Sequence, residues 1–342
     1  MHREKGVKFA FVAEEEWSFM SKLLNLLKKQ GGIKLIKQYF KSGALATAVC
    51  EFALLGKSRT ALELLRLSAS LKTKQKLQKQ YKGSLEAFDR EYNESLCNML
   101  RQQSNKVWVC WFQGMEEAPS VVKKCYESLN ENLTDRDIVL ITSDNLDKYV
   151  DFPDFIMEKW KSGKITHTHM TDLLRLELLI KYGGTWIDAT VLCTRKSEDI
   201  PEYFFNSDLF MFQTLKPGRD GHPTGLSSWY LSACTNNRVL MATRHMLYEY
   251  WKKNDEMVDY YLFHDFLTIA LDKYDEEQKA IVPFSNSTPH ILLLRLFDKY
   301  DEKMYKYILE QTPFHKLSYK FTKEQVEMEG TYYKRVVVNW FG

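Results

Sequence analysis

The chain has 342 residues, with 48 Lys and Arg against 45 Asp and Glu, 44% apolar side chains and 14% aromatic ones. That length and composition give one large domain or two ordinary ones with a real core, and exclude disordered, collagen-like and low-complexity chains. The formal charge of +3 hides an asymmetry: residues 1–105 carry 19 Lys/Arg and 10 Asp/Glu, leaving 29 and 35 for residues 106–342. The six cysteines (Cys50, Cys97, Cys110, Cys125, Cys193, Cys234) are scattered without a C-x-x-C pair, so neither a disulfide framework nor a zinc site is expected. Lys8 interrupts the short apolar stretch at 7–13 and Glu14 to Glu16 end it, which is not the pattern of a signal peptide. The longest apolar run, 44–55, contains Glu51 and falls short of the ~20 residues that span a bilayer. A reduced, cytoplasmic protein is expected, with the sequons at Asn93, Asn132 and Asn286 as chance matches.

Residues 1–105 read as helical. Trp17, Met20, Leu23, Leu24 and Leu27 repeat at i, i+3, i+4, as do Leu62, Leu65 and Ala69, and Gly31, Gly32, Gly43 and Gly56 mark helix ends. From Trp17 to Lys82 there are 14 Lys/Arg and two acids, Glu51 and Glu63. Such a stretch suits either a helical cap with a solvated basic face or peripheral contact with an anionic membrane, at ~1 kcal/mol per basic residue near the surface. The two readings are compatible. Nucleic acid is not expected as a partner, since no recognition motif accompanies the charge.

Residues 106–342 change character. Short apolar runs at 107–112 and 137–142 have strand length. Between them Pro119 opens a segment with Val121, Val122, Cys125 and Leu129 at helical spacing. Strand, helix and strand in about 35 residues make a βαβ unit, which implies a parallel sheet. A helix over 168–182, stopped by Gly183 and Gly184, then leads to a strand over 185–193. Ligands of such sheets lie beyond the carboxyl ends of strands, so the residues after Val109, after Ile141 and around Asp188 are the ones to inspect.

The densest chemical signal is residues 171–194, TDLLRLELLIKYGGTWIDATVLCT. Asp172 and Arg175 share a helix face, while Glu177 and Lys181 read as an ordinary exposed pair. The double glycine turns the backbone tightly and leaves room for a bulky ligand. Asp188 follows apolar neighbours, and a carboxylate there is costly unless it meets a cation or donors; a hard divalent metal bridging phosphate oxygens would satisfy it.

Asp172-x-x-Arg175 followed by Tyr182-Gly183-Gly184-x-x-x-Asp188 resembles the core of glycosyltransferases that include yeast initiating mannosyltransferases and the sugar-transferring domains of clostridial toxins. Five blocks in order resemble bacterial capsular polysaccharide synthesis proteins over residues 106–320: Trp108-Val-Cys-Trp111-Phe-Gln113-Gly114, Trp186-Ile-Asp-Ala-Thr190, Ser228-Trp229-Tyr230, Tyr250-Trp251-Lys252 and His315-Lys-Leu-Ser-Tyr-Lys320. The resemblance implies an α/β fold of the GT-A type, a Rossmann-like, mostly parallel sheet flanked by helices, carried by residues 106–342 behind the helical region 1–105. It also implies a retaining, metal-dependent transferase using Mn²⁺ or Mg²⁺, a UDP- or GDP-sugar donor and a glycan acceptor, expected to be lipid-linked at the inner face of the plasma membrane.

Residue roles follow from the same resemblance. Trp111 matches an aromatic stacked on the nucleobase, worth ~1–3 kcal/mol, whereas Trp108, of opposite strand parity, reads as core. Gln113, Asp172, Arg175, Gly183, Gly184, Lys316 and Lys320 fall to the donor. Asp188, Thr190 and His315 fall to the metal, with Thr190 standing where the commoner D-x-D motif has its second aspartate. Asp188, Arg175 and Asp265 are the candidate catalytic groups, and His264 and Trp229 are candidates for orienting acceptor hydroxyls. No pair of acids marks the nucleophile of retaining glycosidases, so front-side attack is expected. A non-catalytic scaffold that binds glycan or nucleotide is the alternative, and Thr190 favours it.

Overall fold

A computed structural model describes residues 32–215 and 223–338, and the chain divides into two compact units. The first takes in residues up to Gln80 together with Met257–Asp265; the second takes in Tyr81–Glu256 and the residues from Phe266 onward. Residues 257–265 thus join the N-terminal unit, an association that sequence order gives no reason to expect.

The first unit, where described, is helical as its periodicity predicts. It holds α1 (Gly32–Ser42), α2 (Leu45–Leu55) and α3 (Arg59–Glu91) as far as Gln80. Gly43 and Gly56 both take positive φ at the helix ends, and the Gly56 N–H returns to the Phe52 carbonyl. Ala48, Phe52 and Leu65 form a small core with Tyr39 and Val49. The periodic segment at 17–27 lies outside the described residues.

The second unit is an α/β domain around a five-stranded sheet in the order β2-β1-β3-β6-β5. Its strands are β1 (Lys106–Cys110), β2 (Asp137–Ile141), β3 (Gly184–Ile187), β5 (Leu209–Gln213) and β6 (Leu226–Ala233). β4 (Val191–Cys193) and β7 (Phe314–Lys316) form a separate antiparallel pair. β1 lies parallel to both β2 and β3, as the βαβ spacing predicts, and α4 (Ser120–Asn132) is the crossover helix, with Pro119 at its N-cap. Val107, Trp108 and Val109 are fully buried, which suits a central strand covered on both faces. β6 runs antiparallel to β3 and β5, so the sheet is parallel in its β2-β1-β3 half only. Phe204, Phe210, Phe212, Tyr230 and Phe314 fill the main core of this unit.

The expected strand over 185–193 breaks in the middle. β3 stays in the large sheet as far as the Asp188 N–H, which donates to the Trp229 carbonyl at 2.8 Å. The Val191 N–H then closes a turn on the Asp188 carbonyl at 3.0 Å, and β4 departs to pair with β7. Ser128 and Asn132 of α4 hold the Cys193 backbone from the other side, fixing that departure. The break lifts residues 188–190 out of the sheet at its carboxyl edge.

Gly183 and Gly184 serve a different purpose from the one their spacing suggests. A Cβ on Gly183 would meet the backbone of Gln102, Ala233 and Thr235 at 3.1–3.2 Å, and one on Gly184 would stand 2.3 Å from the Lys106 carbonyl oxygen. The glycines make room for neighbouring backbone, not for a ligand. With φ at +93° as well, Gly184→Ala is expected to lower stability by about 2–3 kcal/mol in urea unfolding. Gly163→Ala, at φ +75° but with nothing within 4 Å, is expected to cost about 1 kcal/mol. Equal unfolding midpoints for the two variants would contradict the close strand packing.

Candidate active site

The second unit opens a cleft where the carboxyl ends of β1 and β3 meet. Trp111, Phe112 and Gln113 follow β1, Asp188, Ala189 and Thr190 follow β3, and Lys316 and Tyr319 come from β7 and the loop beyond it; all line the cleft. The start of α5 (His167–Tyr182) adds His167, Thr168 and Thr171. Two strands entering in parallel necessarily release their following loops on one side, which is why the cleft forms there.

Helix α5 is set by its ends. Thr166 caps it by accepting the His169 N–H, and Gly183 ends it in the left-handed region with its N–H on the Leu179 carbonyl. Asp172, Arg175 and the leucines between them are buried along this helix. Arg175, only 3% exposed, donates to Asp172 Oδ1 at 2.6 Å and to Asp188 Oδ1 at 3.3 Å, while its guanidinium lies 4.8 Å from the Trp186 ring centre. The Trp186 indole N–H also donates to Asp188 Oδ1, at 2.9 Å. On the other oxygen, Lys316 Nζ donates to Asp188 Oδ2 at 2.8 Å and to Thr190 Oγ1 at 2.6 Å. Burial by itself raises the Asp188 pKa, but Lys316 and Arg175, with the hydrogen bonds from Lys316 and Trp186, outweigh it and hold the carboxyl below its ordinary value.

The chain of contacts continues inward through residues the sequence does not single out. Trp251, on α6 (Arg238–Lys253), donates its indole N–H to His169 Nε2 at 3.0 Å. That bond makes Nε2 the acceptor and leaves the neutral ring's proton on Nδ1, which stands 3.3 Å from Asp172 Oδ2, off the line of a regular hydrogen bond. His169 thus stands against the Asp172 carboxylate, which in turn accepts from Arg175. The signals in the sequence are weak: a histidine three residues before Asp172, and a tryptophan within the Tyr250-Trp251-Lys252 block.

Other expected site residues fall in varied places. Trp111 sits half-buried between core and cleft, edge-on to Tyr319 at 5.3 Å, and Gln113 lines the opening. Lys320 is exposed, its ammonium 5.7 Å from the Tyr319 ring centre. Trp108 is core, as its parity predicts, with its indole N–H on the Gly183 carbonyl. Trp229 is buried against Phe212 with its N–H on Asn286 Oδ1, and does not line the cleft. Glu177 and Lys181 are not paired: Glu177 accepts from Arg244 and Tyr248 of α6, and Lys181 donates to the Tyr149 carbonyl. All six cysteines are free thiols. Burial, reinforced by Asp188, pushes the Cys110 thiol at the cleft wall up to about 12, so it stays protonated.

The metal expectation requires Asp188, Thr190 and His315 to converge. His315 is fully buried and lines no part of the cleft, since it alternates with Lys316 on β7 and faces the other way. Burial, with Arg195 nearby, lowers its pKa to about 3. Both oxygens of Asp188 already hold cationic or N–H donors, and the described residues contain no group of three His, Cys, Asp or Glu side chains suited to a metal. This donor set does not fit a divalent ion.

His264 and Asp265 lie in the first unit and are absent from the cleft wall. Asp265 is wholly buried with both carboxylate oxygens lacking a hydrogen-bond partner.

With this geometry in view, three comparisons bear on the chain. The family model described as capsular polysaccharide synthesis protein matches residues 61–336. The chain belongs to that family. A curated relative, the O-glycosyltransferase braB of Annulohypoxylon truncatum, is 30% identical to this chain over 128 residues, which are 33% of this chain and 30% of that protein. A solved structure titled PaToxG glycosyltransferase aligns with a TM-score of 0.35 and 14% identity, over 75% of this chain and 94% of that one. The family match spans all five of the sequence blocks that carry the resemblance to capsular synthesis proteins.

Burial, reinforced by Asp259, raises the Asp265 pKa to about 8. The folded state therefore keeps a proton that the unfolded chain releases near pH 4, so stability falls as the pH climbs through that interval and levels off above 8. Asp265→Asn is expected to flatten the decline between pH 5 and 8, measured by urea unfolding at fixed ionic strength. A variant that keeps the full slope would contradict the buried carboxyl.

Proposed function

We propose that this chain is a glycosyltransferase that moves a sugar from a nucleotide-sugar donor to a growing surface glycan. The observation that carries this reading is the cleft itself: an indole just past β1 and a cation-held carboxylate just past β3 line the same opening. Trp111 offers a platform for the base, and base–aromatic stacking is worth ~1–3 kcal/mol and tolerates uracil or guanine alike. Lys316 supplies positive charge at the cleft wall where the diphosphate leaves, and buried Arg175 holds the Asp188 carboxylate from behind.

In this mechanism the acceptor hydroxyl oxygen bonds to the anomeric carbon as the bond from that carbon to the phosphate oxygen breaks. The bonding pair departs with the nucleoside diphosphate, and the hydroxyl proton passes to a phosphate oxygen. Among the described residues lining the cleft Asp188 is the one acid, and it is pinned by Arg175, Trp186 and Lys316. A covalent intermediate of the glycosidase kind needs a second, mobile carboxylate, so attack from the front face with retention is the favoured course.

The acceptor we favour is lipid-linked. Phe40 and Leu54 on the first unit are 73% and 82% exposed, and no helix among the described residues is long and apolar enough to cross a membrane. Exposed apolar side chains on a basic unit suit peripheral contact with an anionic bilayer.

The test is transfer from a panel of UDP- and GDP-sugars to membrane-derived acceptor, with co-sedimentation on anionic vesicles read in parallel. Asp188→Ala is expected to keep its fold by circular dichroism and lose at least about 100-fold in rate. Vesicle binding is expected to weaken as salt rises. Turnover by Asp188→Ala at the wild-type rate would contradict the reading. Tight donor binding without turnover by the native chain would select a binding scaffold instead.

A further inference from the structure

The Lys316 ammonium occupies an unusual position. It bridges Asp188 Oδ2 at 2.8 Å and Thr190 Oγ1 at 2.6 Å, the two side chains that the sequence assigns to a divalent ion. The remaining Asp188 oxygen takes the Arg175 and Trp186 N–H donors, at 3.3 and 2.9 Å. Resting on the donor-site reading above, we propose that Lys316 takes the place of the metal, so that the cleft binds a nucleoside diphosphate without a divalent cation.

Three features of the backbone and chemistry support this. First, Lys316 is tethered to the segment it serves. It pairs with Val191 in the β4–β7 ladder, and the next N–H, of Leu317, donates to the Thr190 carbonyl at 2.8 Å. A divalent ion at Asp188 would have to coexist with an ammonium whose backbone is held beside Thr190, in a site where like charges repel strongly. Second, the residue two after Asp188 is a threonine. Its hydroxyl accepts from Lys316 and retains its own hydrogen for a phosphate oxygen, whereas a second carboxylate would repel the phosphate. Third, an ammonium carries three hydrogens, and two are committed to Asp188 and Thr190. The side chain is 18% exposed and lines the cleft, so the third is available to the diphosphate.

The charges agree with this assignment. Asp172, Arg175, Asp188 and Lys316 sum to zero, so the cluster does not repel an incoming anion, and exposed Lys320 beside Tyr319 adds a further cation nearby. When the glycosyl bond breaks, the pair of electrons moves onto the phosphate oxygen, and Lys316 and the Thr190 hydroxyl are placed to hold it. A fixed ammonium then supplies the charge stabilisation that a Lewis acid would otherwise give.

The experiment is calorimetric titration of UDP and GDP into the full chain, in EDTA and again with excess Mn²⁺, together with Mn²⁺ titration followed by electron paramagnetic resonance. At least one nucleotide is expected to bind with affinities in the two buffers within about threefold. Lys316→Met is expected to lose at least tenfold in EDTA, and the Mn²⁺ signal is expected to stay that of the free ion. Affinity that falls more than tenfold in EDTA and returns with Mn²⁺ would overturn the proposal while leaving the donor site intact. So would Mn²⁺ capture abolished by Asp188→Asn, or Lys316→Met binding as tightly as wild type. Failure of both nucleotides to bind in either buffer would overturn the donor-site reading, and this inference with it.

Discussion

The guanidinium of Arg175 ties two carboxylates that the fold would otherwise bury at a loss. Asp172 stands one helical turn before it, and Asp188 follows the next strand. Removing either acid from water without a partner is expensive, and breaking such a cluster by deleting one member leaves an uncompensated charge. Because α5 and β3 are joined by Gly183 alone, the arginine and both acids come from seventeen consecutive residues. The geometry of the site is therefore settled largely by local chain, and the rest of the second unit is arranged to keep it there.

That support comes from two directions. Outward, Lys316 reaches Asp188 only because β4 leaves the large sheet and pairs with β7. Inward, Trp251 fixes the His169 ring, which stands against Asp172. The result is a polar line running from α6 through the helix start to the cleft, embedded in apolar and aromatic packing. Buried polar networks of this kind resist small displacements, because any shift leaves a group unsatisfied. The proposed sugar transfer needs that rigidity, since charge stabilisation has to be in place before the glycosyl bond breaks.

Much of this was legible in the sequence, for physical reasons. The βαβ unit shows because apolar runs of strand length flank a helical period. Asp188 shows because a carboxylate after an apolar strand demands a partner, and Trp111 because it lies at the carboxyl end of the first apolar run and matches the family's base-stacking aromatic. What stayed hidden depends on distant chain. Whether His315 or Lys316 faces the cleft is decided by pairing with β4, more than 120 residues away, and a one-residue difference flips the face. The break after Asp188 is invisible in a run as apolar as its flanks. Gly183 and Gly184 read as space for a ligand, yet the space is filled by the backbone of residues 102, 106, 233 and 235. Glu177 and Lys181 have the spacing of an exposed pair, but α6 covers that face and takes the carboxylate. Asp265 reads as a candidate catalytic group, yet it belongs to the first unit, is buried, and is absent from the cleft wall.

The account stands or falls on where a nucleoside diphosphate sits. A crystal structure of the full chain soaked with UDP or GDP addresses this directly. The account predicts the base against the Trp111 indole and a terminal phosphate oxygen within hydrogen-bond distance of Lys316 Nζ and Thr190 Oγ1. A nucleotide bound elsewhere, with the ion pairs of Asp188 undisturbed and its cleft filled by solvent, would contradict it.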